Sequence, residues 1–141
     1  MIALDTNILI YAHHARYLEH RRARTVIEEA ARDAGGWGLA LPCVAEFWAV
    51  VTHPASSGRP SRPREARAFL SNLTAAGAKI FSPGPSAAEQ IAELATSLDI
   101  RGHRIFDLQI AQICREAGVR KLWTHDKNFV AVPGLTISDP L

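Results

Sequence analysis

Short apolar runs alternate with amphipathic helical patterns along the chain, and this alternation limits the folds that the sequence can adopt. Between the runs, apolar residues recur at intervals of three, four and seven positions, which is typical of helices that cover a sheet. Strands separated by helices pair in parallel, so the sequence predicts a three-layer α/β/α sandwich with a central, mainly parallel sheet. The predicted strands are 2–4, 38–41, 79–81, 121–124 and 135–137.

The size and composition predict one domain over residues 1–141. The chain is 48% hydrophobic, which is enough for a single core. Cys43 and Cys114 lie in apolar segments, as buried reduced thiols do, and this favours the cytoplasm. We expect no export and no membrane span, because no leader pattern and no apolar run of bilayer length is found. The loop-rich stretch 53–63 is predicted to be a surface loop between two helices.

Four acidic residues stand at strand ends or inside apolar segments, whereas most other Asp and Glu residues have charged neighbours. Asp5 and Asp126 each follow a predicted strand. Glu46 and Asp107 interrupt the apolar segments LPCVAEFWAVV and IFDLQIAQIC, in helices that are expected to follow strands. An unpaired charge buried in such a segment would cost several kcal/mol. These four acids therefore require an explanation.

Each acid has a structural explanation when it is considered alone. Asp5 can cap a helix, Asp126 can occupy a turn, and Asp107 can lie in a first helical turn. An arginine elsewhere can neutralise Glu46. One functional explanation covers all four, because ligands bind beyond the carboxyl ends of parallel strands. Four carboxylates at that edge predict a site for Mg²⁺ or Mn²⁺, and the histidines show no zinc-ligand spacing.

Four segments of the chain have an order and spacing that are specific as a set: LDTNILIYA, VAEFWAVVTHP, IFDLQIAQICREAGVRKLWTHDKNF and GLTISDPL. Together they resemble the PIN-domain nucleases, and among these the VapC-type ribonuclease toxins of bacterial toxin–antitoxin pairs. The resemblance extends along the chain. It implies an acidic site with two polar neighbours that orient the carboxylates or a water molecule. The acids are Asp5, Glu46, Asp107 and Asp126, and the neighbours are Asn7 and Thr124.

Two positions depart from the family's pattern. Leu108 stands where many members have alanine, and this larger side chain is expected to tighten the packing beneath Asp107. Asn128 stands where some members have another aspartate, which leaves the number of metal ions open.

The site residues suit phosphodiester hydrolysis by water with a divalent cation. Asp5 and Asp107 are expected to be the main metal ligands. Asp126 completes that coordination through water or holds a second ion, and Glu46 binds the metal or positions the attacking water. Arg104 lies one helical turn before Asp107 and is a candidate for contact with a substrate phosphate.

The resemblance implies three partners: an RNA substrate, a cognate VapB-type antitoxin and a second copy of the chain in a homodimer. Of the 16 basic residues, 13 are arginines, whose planar guanidinium suits phosphate groups. Arg59 and Arg62, in the predicted loop, are candidates for contact with the RNA backbone.

Two other functions stay open at this point. The first is a phosphatase or phospho-acceptor domain that uses Asp5, although Asn7 stands where such a domain has its second aspartate. The second is a non-catalytic RNA-binding module whose acids hold a structural metal ion.

Overall fold

Five parallel strands form a central sheet in the computed structural model of the chain, which describes residues 1–55 and 58–141. The order across the sheet is 3-2-1-4-5, so the first strand lies in the middle. The predicted parallel sheet is confirmed: each strand begins and ends within one residue of its predicted bounds, and every neighbouring pair of strands is parallel. The strands are β1 (Ile2–Leu4), β2 (Trp37–Ala40), β3 (Lys79–Phe81), β4 (Lys121–Trp123) and β5 (Thr136–Ser138).

Six helices connect these strands within the described part of the chain. They are α1 (Thr6–His13), α2 (His20–Ala31), α3 (Leu41–Thr52), α4 (Pro63–Ala75), α5 (Ala87–Ser97) and α6 (Arg104–Glu116). Helices α1 to α4 connect β1, β2 and β3 in one direction, and α5 and α6 return the chain from β3 to β4. Because such crossovers are right-handed, the two groups of helices cover opposite faces of the sheet. The fold is therefore the expected three-layer sandwich.

The core lies on both sides of β1, whose three residues are all buried. On α2, Ala23, Val26 and Ala30 are buried, as their spacing predicts. Gly38 of β2 allows a close approach to β3, since a methyl group there would overlap the carbonyl oxygen of Lys79. Both cysteines are buried free thiols, as expected. Among the described residues, no helix is both long and apolar enough to cross a membrane.

The position and exposure of Glu46 on α3 differ from what the sequence predicts. Glu46 lies in the second turn of α3, beyond the first turn, and its side chain is exposed. The prediction of burial was wrong because α3 also leaves Leu41, Trp48 and Val50 exposed, so apolar neighbours in sequence do not enclose Glu46. A run of apolar residues on a helix thus did not indicate a fully buried helix.

Two further details concern connections. Helix α6, which carries Asp107, follows α5 and does not follow a strand directly, contrary to the expectation. The stretch 53–63 joins α3 to α4, as predicted, for the residues described there. Residues 56 and 57 of that stretch lie outside the described residues.

Candidate active site

Strands β1 and β4 are neighbours at the point where the strand order changes direction. From β1 the chain continues to β2 and β3 on one side, and it returns to β4 on the other side. A crevice forms beyond the carboxyl ends of two such strands, because the helices that follow lie on opposite faces. Asp5 directly follows β1 and Thr124 directly follows β4, so both residues lie at this crevice.

Asp5 is the buried centre of the site, with 6% of its surface exposed. It caps α1, because its Oδ1 accepts a hydrogen bond of 2.7 Å from the backbone N–H of Thr6. Its Oδ2 accepts hydrogen bonds from the Thr124 hydroxyl at 2.6 Å and from the Asn7 side-chain amide at 2.8 Å. The helix-capping explanation for Asp5 is thus correct, and both of its oxygens also belong to a network between two strand ends.

The Thr124 hydroxyl is the centre of that network. It donates to Asp5 and accepts hydrogen bonds from the Asn7 amide at 2.9 Å and the Asp126 backbone N–H at 3.0 Å. The Asn7 carbonyl oxygen accepts a hydrogen bond of 3.1 Å from the backbone N–H of His125. Asn7 and Thr124 therefore hold Asp5 and the loop that carries Asp126 in a defined relative position.

Replacement of Thr124 by valine should test this network. Valine keeps the shape but removes a hydroxyl that makes three hydrogen bonds, so we expect a loss of about 1–3 kcal/mol in the free energy of unfolding. Urea denaturation measures this loss. The matched control is Thr124→Ser, which keeps the hydroxyl and should recover most of the stability. Equal stability of the valine variant and the wild type would contradict the network.

The pKa of Asp5 reports the electrostatic surroundings of the site. The pKa of Asp5 is raised to about 6, chiefly by burial; the hydrogen bonds from Thr124 and Thr6 lower it, and the charges of Glu46 and Asp107 contribute to the increase. Asp5 is therefore close enough to both acids for repulsion to matter. A cation at this position would relieve that repulsion.

Asp107 lies in the first turn of α6 and is half-buried. Burial raises its pKa, and the charges of Asp126 and Glu46 raise it further, whereas Arg104 and His103 lower it. Asp107 is thus close enough to Asp5, Glu46 and Asp126 for their charges to interact. The structural explanation for Asp107 in a first helical turn also holds, and the two explanations are compatible.

Glu46 and Asp126 are the two exposed acids of the site. One Glu46 oxygen accepts a hydrogen bond of 2.5 Å from the Thr6 hydroxyl. Glu46 forms no ion pair with any of the described residues, so the arginine partner proposed for it is not found there. Asp126 occupies a turn, since its Oδ1 accepts a hydrogen bond of 2.8 Å from the Asn128 backbone N–H.

The chemistry of these donors suits a hard divalent cation, because all four side chains supply carboxylate oxygens. The acids do not form a preassembled cage: in the described part of the chain, no three Asp, Glu, His or Cys side chains are grouped closely enough to hold an ion. The mutual repulsion of Asp5, Asp107 and their acidic neighbours is the observation that favours a cation at this edge.

The candidate RNA contacts lie in two places. Arg104 is exposed near Asp107, and its guanidinium donates a hydrogen bond of 3.2 Å to the backbone oxygen of Asn128. The structure therefore brings Arg104 to the acidic site, between α6 and the loop after β4.

Arg59 and Arg62 lie away from the acids. Arg59 forms an ion pair of 2.6 Å with Glu65 and lines a small pocket with His13 at the end of α1. The eight residues of α1 separate this end from Asp5 by about 12 Å along the helix. The backbone N–H of Arg62 donates a hydrogen bond of 2.7 Å to Glu65. Contact between these arginines and RNA stays a prediction.

Two interactions at the site had no strong signal in the sequence. Thr6 bonds Glu46 across 40 positions, although its place in the DTN motif suggests only helix capping. The His125 ring forms a hydrogen bond of 2.8 Å with the Asp139 carboxylate, in the segment after β5. The segment GLTISDPL is one of the four motifs, but its sequence does not show which residue Asp139 contacts.

Comparison with known protein families agrees with this fold. Residues 2–135 match the family described as PIN domain. The chain therefore belongs to the PIN-domain family.

Within that family, the chain is similar to proteins named VapC ribonucleases. Ribonuclease VapC43 of Mycobacterium tuberculosis (strain ATCC 25618 / H37Rv) is 31% identical over 142 residues, which cover 100% of this chain and 96% of the relative. Ribonuclease VapC48 of the same strain is 27% identical over 143 residues, with coverage of 96% and 94%.

Solved structures of similar proteins have the same fold. Mycobacterium tuberculosis VapC20, described as a Sarcin-Ricin loop cleaving toxin, superimposes with a TM-score of 0.69 at 17% identity and covers 92% of each chain. A chain of a toxin–antitoxin complex from Klebsiella pneumoniae superimposes with a TM-score of 0.69 at 19% identity, with coverage of 100% and 98%.

Proposed function

We propose that this protein is a metal-dependent endoribonuclease, the toxin of a type II toxin–antitoxin pair. The observation that carries the proposal is the electrostatic coupling of four carboxylates at the crevice between β1 and β4. Relatives that cover nearly the whole chain are named ribonucleases, which supports RNA as the substrate. Phosphodiester hydrolysis is a reaction for which such a carboxylate group is suited.

Asp5, Asp107 and Asp126 would hold Mg²⁺ or Mn²⁺ in this proposal. When bound, the ion supplies a water molecule activated at neutral pH and stabilises negative charge on the phosphate oxygens. The hydrogen bonds from Thr124 and Thr6 favour the ionised form of Asp5, so they keep a buried carboxylate available as a ligand. Asn7 fixes the second strand end relative to the first through His125.

Glu46 is suited to position the attacking water. The Thr6 hydroxyl holds one of its carboxylate oxygens at 2.5 Å, which orients the other oxygen. Its exposure leaves it accessible to solvent and substrate. Arg104, exposed beside Asp107, is placed to contact a phosphate of the substrate.

The protein is proposed to work with a VapB-type antitoxin and as a homodimer in the cytoplasm. Structural neighbours include toxin–antitoxin and VapBC complexes, which supports an antitoxin partner. Leu41, Trp48 and Val50 on α3 and Ile80 on β3 are exposed apolar side chains that a second copy would cover.

The phospho-acceptor alternative is not favoured by the residue two positions after Asp5. Such a domain has its second aspartate there, whereas this chain has Asn7, whose amide donates a hydrogen bond of 2.8 Å to Asp5. The cleavage experiment below distinguishes the proposed ribonuclease from a non-catalytic RNA-binding module with a structural metal, because such a module would bind RNA without cutting it.

The experiment that tests the proposal incubates the purified protein with total bacterial RNA. We expect cleavage at a limited set of positions with Mg²⁺ or Mn²⁺ and none with EDTA, because the ion provides most of the transition-state stabilisation. Sequencing of RNA 5′ ends locates the cuts. RNA that binds the protein but stays intact in Mn²⁺ would favour the non-catalytic module and contradict the proposal.

A further inference from the structure

One aromatic side chain beside the acidic site is largely exposed to solvent. Phe106 is 64% exposed, whereas Phe47, Phe81 and Phe129 are buried and Phe69 is half-buried. A phenylalanine normally gains stability from burial, so its exposure at this place leaves an apolar surface available to a ligand.

The position of Phe106 relates this surface to the acids. Phe106 lies in the first turn of α6 and directly precedes Asp107. Helical side chains lean toward the amino terminus of their helix, so the ring covers the turn around His103. Since α6 returns the chain toward β4, its first turn is at the same edge as the carboxyl ends of the strands. The ring is thus next to the crevice.

Basic side chains lie near Phe106 in sequence. Arg101, His103 and Arg104 are exposed, and Arg101 forms an ion pair of 3.1 Å with Asp99. His103 and Arg104 are close enough to Asp107 to affect its carboxylate. Arg104 is also anchored to the backbone of Asn128. An exposed aromatic face among cations is the arrangement on which proteins stack unpaired nucleobases and hold the adjoining phosphates.

We propose that Phe106 stacks on an unpaired nucleobase next to the phosphodiester that is cut at the acidic site. This inference rests on the ribonuclease function proposed above. It assigns Phe106 to recognition of the base beside the cut. Arg104 contacts a phosphate beside that base.

A second copy of the chain is the other occupant that such a ring could have. A symmetric contact at Phe106 opposes the proposed function, because it would bring two copies of Arg104 together and cover both acidic sites. The apolar groove between α3 and α6 is lined by Leu41 and Trp48 but does not include Phe106. The nucleobase is therefore the occupant that the surroundings favour.

The test compares the wild type with Phe106→Leu and Phe106→Tyr on total bacterial RNA in Mn²⁺, with cuts mapped by 5′-end sequencing. Leucine keeps the apolar character and removes the aromatic face, so kcat/KM at the wild-type cut sites should fall about tenfold or more, mainly through a higher KM. Preference for the base beside the cut should weaken. Phe106→Tyr should keep kcat/KM and the base preference within about threefold of the wild-type values, because tyrosine preserves the aromatic ring. Leu18→Ala, at an apolar residue that is 98% exposed in the α1–α2 connection, is the matched control and should behave as the wild type.

Two results would overturn the inference while the ribonuclease function stands. The first is wild-type kcat/KM and base preference in Phe106→Leu. The second is a change in oligomeric state of Phe106→Leu in light scattering, which would assign the ring to contact with a second copy. Absence of cleavage by the wild type would overturn the proposed function and this inference together.

Discussion

Replacement of Asp107 by asparagine is expected to lower the rate of RNA cleavage at least about a hundredfold, which corresponds to about 2.7 kcal/mol or more of transition-state stabilisation. The variant removes one charge from a carboxylate whose pKa is already raised by burial and by Asp126 and Glu46. Its shape is nearly unchanged, so the fold should be retained. Single-turnover cleavage in Mn²⁺ measures the effect.

Glu93→Gln is the matched control for this prediction. Glu93 is an exposed carboxylate on α5, outside the group of coupled acids, so its amide variant should cleave at the wild-type rate. Residual cleavage by Asp107→Asn, purified in the same way as the wild type, sets an upper limit on the activity of contaminating nuclease. Near-native cleavage by Asp107→Asn, with Glu93→Gln unchanged, would show that the acidic site is assigned to the wrong residues.

The second large effect concerns stability without metal. In EDTA, Asp5 should make the protein less stable as the pH rises from about 4 to about 6. The folded pKa is raised from 3.8 to about 6, so the folded state binds more protons than the unfolded state in this interval, and rising pH favours unfolding. The shift corresponds to about 3 kcal/mol at neutral pH. Urea denaturation near pH 4 and near pH 7 measures it.

The variant Asp5→Asn isolates this contribution from those of other groups. Asparagine cannot ionise, so the free energy of unfolding of Asp5→Asn should fall less between pH 4 and pH 7 than that of the wild type. The loss of hydrogen bonds in the variant affects its stability at both pH values and does not change this difference. Asp107 acts in the same direction, since its pKa is also raised, whereas Asp139 and Glu65 act in the opposite direction because their pKa values are lowered. The same pH dependence in the variant and the wild type would contradict a strained carboxylate at Asp5.

The sheet and the positions of Asp5 and Thr124 could be predicted because they depend on local sequence. Short apolar runs separated by helices specify parallel strands, and a residue that ends such a strand must lie at the carboxyl edge. Asp5 ends β1 and Thr124 follows β4, so their proximity required only that β1 and β4 be neighbours. The resemblance to the PIN-domain nucleases placed Asp5 and Thr124 in one acidic site, without giving the strand order.

The rest of the site depends on contacts between distant segments. The exposure of Glu46 could not be predicted, because it depends on which side of α3 the other elements leave uncovered. The bond from Thr6 to Glu46 and the pair of His125 with Asp139 each join different elements. The apolar segment IFDLQIAQIC predicts that Phe106 is a core residue. The structure shows instead that its ring is largely exposed, which depends on the orientation of α6.

The central claim is that the coupled carboxylates between β1 and β4 form one metal site, and thermal unfolding with EDTA or Mn²⁺ tests it most directly. A saturating ion should stabilise the wild type and Glu93→Gln by about 2–3 kcal/mol at roughly a hundredfold excess over Kd, through binding to the folded state alone. Asp107→Asn should melt at least as high as the wild type in EDTA, because it removes a repelling charge, and should gain little from Mn²⁺. Destabilisation of Asp107→Asn in EDTA, together with a gain from Mn²⁺ equal to that of the wild type, would contradict a shared metal site.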